Sequence, residues 1–537
     1  MTQGHGGLAA ARALQALGVR QIFTLSGGHI FPIFDGCKQL GIEIVDVRHE
    51  QTAGYAAEGW ARLTRSLGVA AVTAGPGVTN IMSPLAQAGF NGAPVLVLAG
   101  RAPSFRWGQG SLQEIDHVPF VVPLAHARTV TTTDDIYPRV IAAARAAMTP
   151  PRRPSFLDLP LDVVFNSTDF PEDESVELAW PDAVSPEDLH DIARLMAEAA
   201  RPVIVAGSNV WLDRAEDHLR ALAERARVPV FMNGQGRGCL PVGHELAFAR
   251  SRSKALKEAD LIMVVGAPLD FRLGFGDFGG AKVIHMDSAR GLIAEHVELA
   301  AHCGGTLRMS LPYVIDAIAD VPDRSEWLGM LGRAESDKRD AAEAELRSTQ
   351  RPIHPMRVYG ELVPLLDDDS VVIGDGGDFV SFAGREVPSH RGGRWLDPGP
   401  FGCLGCGPGY AVAARRAYPD AKVVLLMGDG AIGFSAADLE SLVRHRMPVV
   451  CIVGNNGIWA LEKHPMNALY GYDVAAELQE GTRYDVMMEA FGGKGELVSD
   501  PDDLAPALKR AFDSGEPYLV NVLTDPSIAY PRSATLA

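Results

Sequence analysis

The clearest chemical signal in the sequence is an acid and an amide that follow two consecutive buried-strand patterns. The run "AKVVLLMGDG" places Asp429 between two glycines, and the run "PVVCIVG" ends just before Asn455 and Asn456. Parallel strands bring their carboxyl ends to one edge of a sheet, where α/β proteins bind ligands. A carboxylate, an amide oxygen and a nearby backbone carbonyl suit Mg²⁺. The spacing therefore predicts a magnesium site at this edge.

The residues around Asp429 indicate that the metal would be shared with a phosphate group. Gly428, Gly430 and Ala431 surround it, and the pattern "AADLESLVRHR" further on is typical of a helix. The N–H groups at a helix N-terminus can hold phosphate oxygens. Taken alone, Asp429 and Gly430 would favour a simple turn, and Asn456 a helix cap. The combination of motif, helix, strand and paired asparagines favours a metal-bridged diphosphate.

The elements that must position these residues recur along the whole chain. Short β-rich runs alternate with helical patterns, which indicates parallel sheets covered by helices. A chain of 537 residues is too long for one core. We predict an α/β protein of three doubly wound domains, at residues 1–168, 185–322 and 350–537. The acidic, proline-rich stretch after residue 165 predicts a linker, and the charged pattern at 323–350 predicts a helical connector.

Composition excludes several classes of partner. The formal net charge of -18 argues against nucleic acid and anionic membrane surfaces. No apolar stretch approaches the ~20 residues that span a bilayer. The six scattered cysteines and the absence of a signal-peptide pattern favour a cytoplasmic protein. Cys403 and Cys406 form an isolated CxxC pair, so we expect no zinc site there.

The GDG motif, followed about twenty-six residues later by two asparagines, resembles the thiamine diphosphate signature of the acetolactate synthase superfamily. The likeness spans essentially the whole chain and points to actinobacterial acetolactate synthase-like large subunits, a group that overlaps with 2-hydroxyacyl-CoA lyases. It implies a pyrimidine-binding domain, a central nucleotide-binding-like domain and a diphosphate-binding domain. It also implies thiamine diphosphate and Mg²⁺ as cofactors, small-molecule substrates, and active sites between the subunits of a homodimer or homotetramer.

The resemblance assigns roles in the C-terminal third. It implies that Asp429, Asn456 and the backbone carbonyl of Ile458 bind the metal. Leu404, in "PFGCLGCGPGYA", matches the bulky apolar residue over which the cofactor bends. Contacts with the cofactor's diphosphate are assigned to Gly377 and Asp378 of "GDGGDF" and to Gly428, Gly430 and Ala431.

Glu50 is the residue to which the resemblance assigns cofactor activation. It lies in "VDVRHEQTAGYAAEGWAR", after a strand pattern and at the start of a helical one. Taken alone, an acid in this position simply favours the helix dipole. The resemblance implies that Glu50 hydrogen-bonds N1′ of the aminopyrimidine, so that the 4′-nitrogen can remove the C2 proton of the thiazolium ring. The stretch "AVTAGPGVTN" occurs at a family-like spacing after it.

Other polar residues are candidates for the substrate side of the site. In related carboligases and lyases, the residues matching His29 and Gln113 hydrogen-bond the substrate oxygen; a loop histidine and a surface amide are the alternatives. Glu462, on a predicted helix beyond the metal ligands, resembles the acid of 2-hydroxyacyl-CoA lyases that takes and returns a proton. Simple solvent exposure is its alternative. Trp459 and Leu461 would shape the acyl pocket.

The central domain contains the segment "LDFRLGFG", which is similar both to FAD-binding segments of acetolactate synthases and to segments that bind the ADP part of coenzyme A. Arg272 could meet a phosphate of either nucleotide or could pair with Asp270. Arg532, in the C-terminal tail, could close over a coenzyme A phosphate or remain solvated. The sequence leaves these choices open.

The predicted function is a thiamine diphosphate-dependent carbon–carbon lyase or ligase. The lead prediction is reversible cleavage of a 2-hydroxyacyl-CoA to formyl-CoA and an aldehyde or ketone, because the tryptophan–glutamine cluster of acetolactate synthases is absent. The alternative is acetolactate synthase-type condensation of 2-keto acids such as pyruvate. A non-catalytic homologue is disfavoured by the joint presence of Glu50, Asp429 and Asn456. A nicotinamide dehydrogenase is excluded because no GxGxxG opens a βα turn with an acid ~20 residues on.

Overall fold

The computed structural model describes residues 2–172, 175–177 and 186–531. Within these ranges the strands form three six-stranded parallel sheets and one two-stranded antiparallel pair. The sheets are flanked by helices, so the predicted α/β class with three parallel sheets is confirmed. None of the helices in these ranges has both the length and the apolar composition needed to cross a bilayer.

The first sheet has the strand order β3-β2-β4-β5-β7-β6, and a separate pair joins β1 to β8. The strands of this sheet and of the separate pair are β1 (Thr2–His5), β2 (Gln21–Thr24), β3 (Glu43–Asp46), β4 (Gly68–Val72), β5 (Val95–Arg101), β6 (His126–Thr129), β7 (Ser155–Pro160) and β8 (Ser167–Phe170). Its helices are α1 (Gly6–Ala16), α2 (Phe31–Gln39), α3 (Glu50–Thr64), α4 (Pro76–Asn80), α5 (Met82–Phe90), α6 (Val118–Val121), α7 (Ile136–Met148) and α8 (Leu161–Phe165). The start of the predicted linker is therefore a strand, β8, because its backbone pairs with β1; residues 173–174 and 178–185 lie outside the described part.

The second sheet has the order β11-β10-β9-β12-β13-β14. Its strands are β9 (Pro202–Ala206), β10 (Val230–Met232), β11 (Ala247–Phe248), β12 (Leu261–Val265), β13 (Lys282–Asp287) and β14 (Ala301–Gly304). Its helices are α9 (Pro186–Glu198), α10 (Ser208–Leu212), α11 (Glu216–Ala226), α12 (Arg252–Glu258) and α13 (Leu307–Ala317). The predicted helical connector is α14 (Ser325–Leu346), as expected from its charged pattern.

The third sheet has the order β16-β15-β17-β18-β20-β19. Its strands are β15 (Val371–Asp375), β16 (Trp395–Leu396), β17 (Val423–Gly428), β18 (Val450–Asn455), β19 (Lys494–Val498) and β20 (Tyr518–Leu523). The helices are α15 (Pro355–Leu362), α16 (Asp378–Glu386), α17 (Gly407–Ala417), α18 (Asp429–Ile432), α19 (Leu439–Arg444), α20 (Ala460–Tyr470), α21 (Tyr484–Ala490) and α22 (Pro501–Asp513). The strands β15, β17 and β18 are neighbours and nearly all of their residues are buried, which explains their continuous apolar runs.

The described residues divide into two compact units. The first contains the residues up to 177 together with Pro398–Asp420 and Gly433–Pro448. The second contains residues 186–397, Ala421–Ile432 and the described residues from Val449 onward. Helices α17 and α19, from the C-terminal third of the sequence, therefore pack in the first unit. The predicted domain ranges 1–168, 185–322 and 350–537 stay predictions.

Helices α3 and α17 approach each other closely in the first unit. A Cβ atom at Gly409 would lie 2.8 Å from the carbonyl oxygen of Thr52 and 3.0 Å from the backbone nitrogen of Ala56. A Cβ atom at Gly59 would lie 2.9 Å from Cδ1 of Tyr410. Because backbone atoms cannot move aside as a flexible side chain can, glycine is required where α17 crosses α3.

A buried acid is satisfied at the same helix contact. Glu58 is fully buried and accepts hydrogen bonds from Arg62 (3.2 Å), Gln87 (3.1 Å) and Asn91 (2.7 Å). Burial raises the pKa of Glu58, and the charge of Arg62 opposes that rise. The hydroxyl of Tyr410 in turn accepts hydrogen bonds from Arg62 and Gln87. This network joins α3, α5 and α17, so removing one partner would leave a buried polar group unpaired.

We predict that Gly409→Ala destabilises the protein by about 1–3 kcal/mol, because the new methyl group overpacks against the backbone of α3. The matched control is Gly332→Ala in α14, where a Cβ atom would meet nothing within 4 Å. That change should stabilise by up to about 1 kcal/mol, the ordinary effect of replacing a helical glycine. Thermal unfolding of both variants checks the prediction. Equal midpoint shifts would contradict the close helix approach.

Candidate cofactor-binding and active site

Asp429 lies at the start of α18, directly after β17, and its residue is only 5% exposed. Its Oδ1 atom accepts a hydrogen bond from the backbone N–H of Gly430 (2.9 Å). Its Oδ2 atom accepts hydrogen bonds from the backbone N–H groups of Asn456 (3.1 Å) and Gly457 (2.6 Å). Burial raises the pKa of Asp429 to about 6, although these N–H groups favour the ionised form. The structure thus brings the predicted acid and the predicted amide together.

The chain after Asp429 contains the helix predicted from "AADLESLVRHR", preceded by a short helix that the sequence did not predict. Asp429 itself begins the four-residue helix α18, and a separate 3-10 turn at Ala436–Asp438 leads into α19. Gly433 follows α18 directly, and glycine is a poor residue for continuing a helix. The predicted phosphate-binding residues Gly430 and Ala431 are consequently buried inside a single short turn.

The predicted segment "GDGGDF" lies beside this turn. Strands β15 and β17 are paired, with Asp375 opposite Met427. A Cβ atom at Gly376, whose φ is +137°, would lie 3.0 Å from the backbone nitrogen of Gly428. Gly377 precedes the nine-residue helix α16, and Asp378 is its first residue. The N-terminus of α16 and the end of β17 therefore share one edge of the third sheet.

Two apolar side chains rest on the glycines of this edge. The ring of Trp459 packs against Gly430, and the side chain of Leu461 packs against Gly377, so closely that a Cβ atom at either glycine would collide with it. The carboxylate of Asp378 accepts a hydrogen bond from the backbone N–H of Tyr530 (2.9 Å). Trp459 and Leu461 thus lie against the glycines of this edge, and their role in shaping an acyl pocket stays a prediction.

The two adjacent asparagines have different surroundings. Asn455 is buried, and its amide donates to the Thr482 carbonyl (2.9 Å) and to the Asn521 side chain (3.1 Å). Asn456 is half-buried, and its Oδ1 atom accepts a hydrogen bond from the backbone N–H of Ile458 (3.3 Å). Asn455 is therefore structural, whereas Asn456 faces the Asp429 side.

Sequence reasoning missed two contributors to this edge. Gly457 has a φ of +71° and donates to Asp429. Tyr484 donates from its hydroxyl to the Asp429 carbonyl (3.3 Å). The sequence does contain a signal for Gly457, because a glycine directly after the asparagine pair favours the positive φ that the backbone adopts where the chain turns back. Tyr484 is distant in sequence and had no signal.

Glu50 lies in the first unit as the first residue of α3, and it is 6% exposed. The side-chain amide of Asn80, the last residue of α4, donates to Glu50 Oε2 (3.0 Å). The preceding residue, His49, caps α3 by accepting a hydrogen bond from the Gln51 N–H through Nδ1 (3.1 Å). The carboxylate is therefore held by a side chain from outside its own helix. Asn80 was missed as a partner, although it ends the quoted stretch "AVTAGPGVTN".

His29 and Gln113 are brought together through a hydroxyl group that sequence reasoning did not single out. His29 Nδ1 lies 3.1 Å from Thr73 Oγ1, and Thr73 donates to Gln113 Oε1 (3.3 Å). Burial lowers the pKa of His29; the charge of His117 adds to this effect, while the backbone of Leu112 opposes it. The two predicted substrate residues therefore form one polar cluster in the first unit.

The remaining predicted residues lie apart from these clusters or have other partners. Leu404 is half-buried in the first unit, beside Cys403, whose backbone N–H donates to the Gln87 side chain (3.1 Å). Glu462 is exposed on the first turn of α20. Arg272 forms an ion pair with Asp270 (2.6 Å), as one alternative anticipated. Arg532 lies outside the described residues.

The sheet edge with a buried acid, neighbouring glycines and an amide is typical of an α/β protein that binds a phosphate-bearing cofactor. Three family models match the chain: the thiamine pyrophosphate enzyme N-terminal TPP binding domain at residues 5–120, its central domain at 189–312 and its C-terminal TPP binding domain at 375–522. The chain belongs to the thiamine pyrophosphate (thiamine diphosphate) enzyme family.

Similar proteins include both acetolactate synthase-named and 2-hydroxyacyl-CoA lyase-named ones. The acetolactate synthase large subunit IlvG of Mycobacterium tuberculosis and a probable acetolactate synthase of Mycobacterium bovis are each 51% identical over 538 residues, covering 99% of this chain and 98% of theirs. The 2-hydroxyacyl-CoA lyase 2 of Homo sapiens is 34% identical over 575 residues, covering 97% and 90%. These findings confirm a thiamine diphosphate-dependent carbon–carbon lyase or carboligase. They favour the alternative prediction, the synthase, over the lead prediction, the lyase.

Proposed function

We propose that the protein is an acetolactate synthase-type carboligase, which decarboxylates one 2-keto acid such as pyruvate and joins the remaining fragment to a second keto acid. The observation that carries this proposal is the full-length identity of 51% to two mycobacterial proteins with acetolactate synthase names. The polar clusters around Glu50 and around Asp429 support it, because each has the chemistry that the cofactor requires.

The proposed cofactors are thiamine diphosphate and Mg²⁺. Asp429, Asn456 and the carbonyl of Ile458 would hold the metal, since carboxylate, amide and carbonyl oxygens suit a hard divalent cation. The carboxylate of Asp429 accepts hydrogen bonds from three backbone N–H groups, and a divalent cation would add the positive charge that a buried carboxylate requires. The N-terminus of α16 at Gly377 and Asp378 would hold diphosphate oxygens.

Bound thiamine diphosphate supplies a carbon nucleophile for the keto group and an electron sink for the loss of CO₂. The proposed task of Glu50 is to hold a proton at N1′ of the cofactor, while Asn80 keeps its carboxylate in place. Leu404 would support the bend of the cofactor through apolar contact. Asn80 and Leu404 would thus contribute by holding Glu50 and the cofactor in the geometry that the reaction needs.

His29 and Gln113 are proposed to bind the substrate oxygen. Thr73 Oγ1 lies 3.1 Å from His29 Nδ1 and 3.3 Å from Gln113 Oε1, so one hydroxyl group holds both side chains in place. Burial lowers the pKa of His29, which favours the neutral imidazole at this position. The amide N–H groups of Gln113 remain as donors for an oxygen.

The second candidate function is 2-hydroxyacyl-CoA cleavage, and the position of Glu462 favours it. This acid lies on the first turn of α20, next to Leu461 and close in sequence to Trp459, which pack on the metal-side glycines. In the lyase, Glu462 would take the proton of the substrate hydroxyl and return one to the carbanion. The 34% identity to 2-hydroxyacyl-CoA lyase 2 over 97% of the chain supports this candidate.

We propose that the central sheet binds a nucleotide beside Arg272. FAD would accompany the synthase, and the ADP part of coenzyme A would accompany the lyase. Arg272 would have to share its guanidinium between Asp270 and a phosphate, because the ion pair already uses its Nε and Nη2 atoms. Arg532 is proposed to assist only in the lyase.

We further propose a cytoplasmic homodimer or homotetramer. Large apolar side chains of the first unit are exposed, among them Phe90 at 63% and Phe401 at 43%, whose rings lie 5.1 Å apart. Exposed aromatic pairs of this kind are typical of surfaces that another subunit covers.

The two candidate functions make different products. We predict that pyruvate gives acetolactate and that a short 2-hydroxyacyl-CoA gives no formyl-CoA, because the synthase-named relatives are the more similar ones. Product analysis by mass spectrometry checks this. Formyl-CoA without acetolactate would overturn the proposal.

Under the lyase candidate, Glu462→Gln would reduce formyl-CoA formation by about 10²–10⁴-fold, the usual contribution of an acid/base residue.

Glu50→Gln should slow exchange of the C2 proton of bound thiamine diphosphate by about 10²–10⁴-fold, because the neutral amide cannot hold the N1′ proton. The exchange is measured by deuterium quench and NMR at saturating cofactor. The matched control is Glu326→Gln, which removes another first-turn acid, in α14. It changes the helix dipole in the same way. If both variants slowed the exchange equally, Glu50 would have only a helix-dipole role.

Metal affinity should depend on pH through Asp429. Its pKa is raised to about 6, so below that pH a proton occupies the carboxylate and competes with the metal. We expect the affinity for Mn²⁺, used as a Mg²⁺ substitute, to fall about tenfold per pH unit below pH 6 and to level off above it. Electron paramagnetic resonance titrations check this, after subtraction of the pH dependence of Mn²⁺ binding to free thiamine diphosphate. A flat affinity between pH 5 and 7 would rule Asp429 out as the ligand.

A further inference from the structure

A buried histidine–aspartate pair lies in the first unit and has no part in the proposed chemistry. His117 and Asp158 are both fully buried, and His117 Nδ1 lies 2.9 Å from Asp158 Oδ1. The other ring nitrogen, Nε2, accepts a hydrogen bond from the backbone N–H of Gly75 (2.9 Å). The second carboxylate oxygen of Asp158 pairs with Arg101 and accepts from Thr129 (3.3 Å).

These contacts fix the protonation of the imidazole. A backbone N–H can only donate, so His117 Nε2 must be the unprotonated nitrogen. The ring proton is then on Nδ1 and is donated to Asp158. The arrangement looks like the base and orienting acid of a catalytic triad. However, the nitrogen that would act as a base is already occupied by a backbone amide, and the ring is closed off from solvent. The pair therefore acts on the fold of a backbone segment.

That segment is the turn at Gly75. Its φ of +58° and ψ of -110° lie in a region that glycine adopts and other residues avoid. A Cβ atom there would also lie 2.9 Å from Cβ of Gln113. The N–H group that donates to His117 therefore belongs to Gly75, the most constrained residue of the turn.

Residues on both sides of the turn make the contacts of the proposed active site. Thr73, before it, bridges His29 to Gln113. Gly75 is also the N-cap of α4, and the last residue of that helix, Asn80, donates to Glu50. Because α4 is only five residues long, Gly75 and Asn80 lie at the two ends of one short helix.

We infer that His117, oriented by Asp158, is a positioning residue that fixes the Thr73–Gly77 turn and, through it, both Asn80 at Glu50 and Thr73 at the His29–Gln113 pair. The inference rests on the proposed role of Glu50 only for its effect on the cofactor. The effect on the turn follows from the hydrogen bonds alone.

Arg101 completes the arrangement on the far side of Asp158. It pairs with Asp158 and with Asp116 (3.0 Å), and its guanidinium lies 3.9 Å from the ring centre of Trp107. Asp116 and Trp107 belong to the segment that leads from β5 to His117. Arg101 thus balances the buried charge of Asp158 and also binds the segment that precedes His117.

The test compares His117→Leu with His117→Gln. Leucine removes the acceptor, whereas glutamine can place a carbonyl oxygen near the former Nε2 position. The matched control is His285→Leu, which removes another fully buried histidine that bonds backbone groups (Ala267 O at 3.0 Å and Ala294 N at 3.1 Å), in the second unit.

The first readout is hydrogen–deuterium exchange of the peptide spanning residues 73–80, measured without cofactor or substrate. We expect about tenfold or faster exchange in His117→Leu, near wild-type exchange in His117→Gln and no change in His285→Leu. The second readout is the C2 proton exchange of bound thiamine diphosphate. It should slow about tenfold or more in His117→Leu and recover in His117→Gln, because small displacements of positioning groups have large effects on rate.

Asp158→Asn is a near-isosteric second variant that remains informative if His117→Leu does not fold. In this variant Arg101 would bind the carbonyl oxygen of the new asparagine, so the asparagine NH₂ group would face His117 Nδ1. Two donors cannot face each other, so the ring proton would move to Nε2, where it would oppose the Gly75 N–H. It should therefore loosen the same peptide as His117→Leu does.

Unchanged exchange of the 73–80 peptide in His117→Leu or Asp158→Asn, or equal effects of the leucine and glutamine variants, would overturn the inference. Failure of the wild-type protein to form acetolactate would overturn the proposed function alone, because the peptide exchange needs neither substrate nor cofactor.

Discussion

The structure around the third sheet depends on the need to satisfy one buried carboxylate. Asp429 carries its charge out of water, which is costly unless hydrogen-bond donors and a counter-ion compensate. The donors are backbone N–H groups from α18 and from the chain after β18, so these strands must be neighbours in the sheet. Gly457 is needed where the chain turns towards the carboxylate. A divalent cation, as proposed above, would supply the positive charge that this buried carboxylate requires.

In the first unit, too, a buried carboxylate is held by a hydrogen-bond donor from another element. Glu50 is held by Asn80 from α4, and the polar pair of His29 and Gln113 is held by Thr73. None of these three contacts lies within one helix or strand. The residues proposed for the active site are therefore placed by turns and short helices, while the buried sheets and the α3–α17 contact supply the rigid support.

Sequence patterns predicted the architecture well, because long buried runs in parallel strands leave a clear apolar signal. They also led to the pairing of Asp429 with Asn456, since both follow strand patterns. They missed the short helix α18, although the helix predicted from "AADLESLVRHR" is present as a 3-10 turn and α19. They also failed for Thr73, His117 and Tyr484, whose partners lie far away in sequence and follow no period. The comparisons favour the alternative function over the lead prediction, which relied on the absent tryptophan–glutamine cluster and on the resemblance of Glu462 to a lyase acid.

The most direct test of the central claim is a crystal structure grown with thiamine diphosphate and Mn²⁺, examined for the anomalous signal of the metal. The account predicts one strong peak per chain at about 2–2.3 Å from the carboxylate of Asp429, the side-chain oxygen of Asn456 and the carbonyl oxygen of Ile458. A peak elsewhere, or cofactor bound with no metal at Asp429, would contradict it.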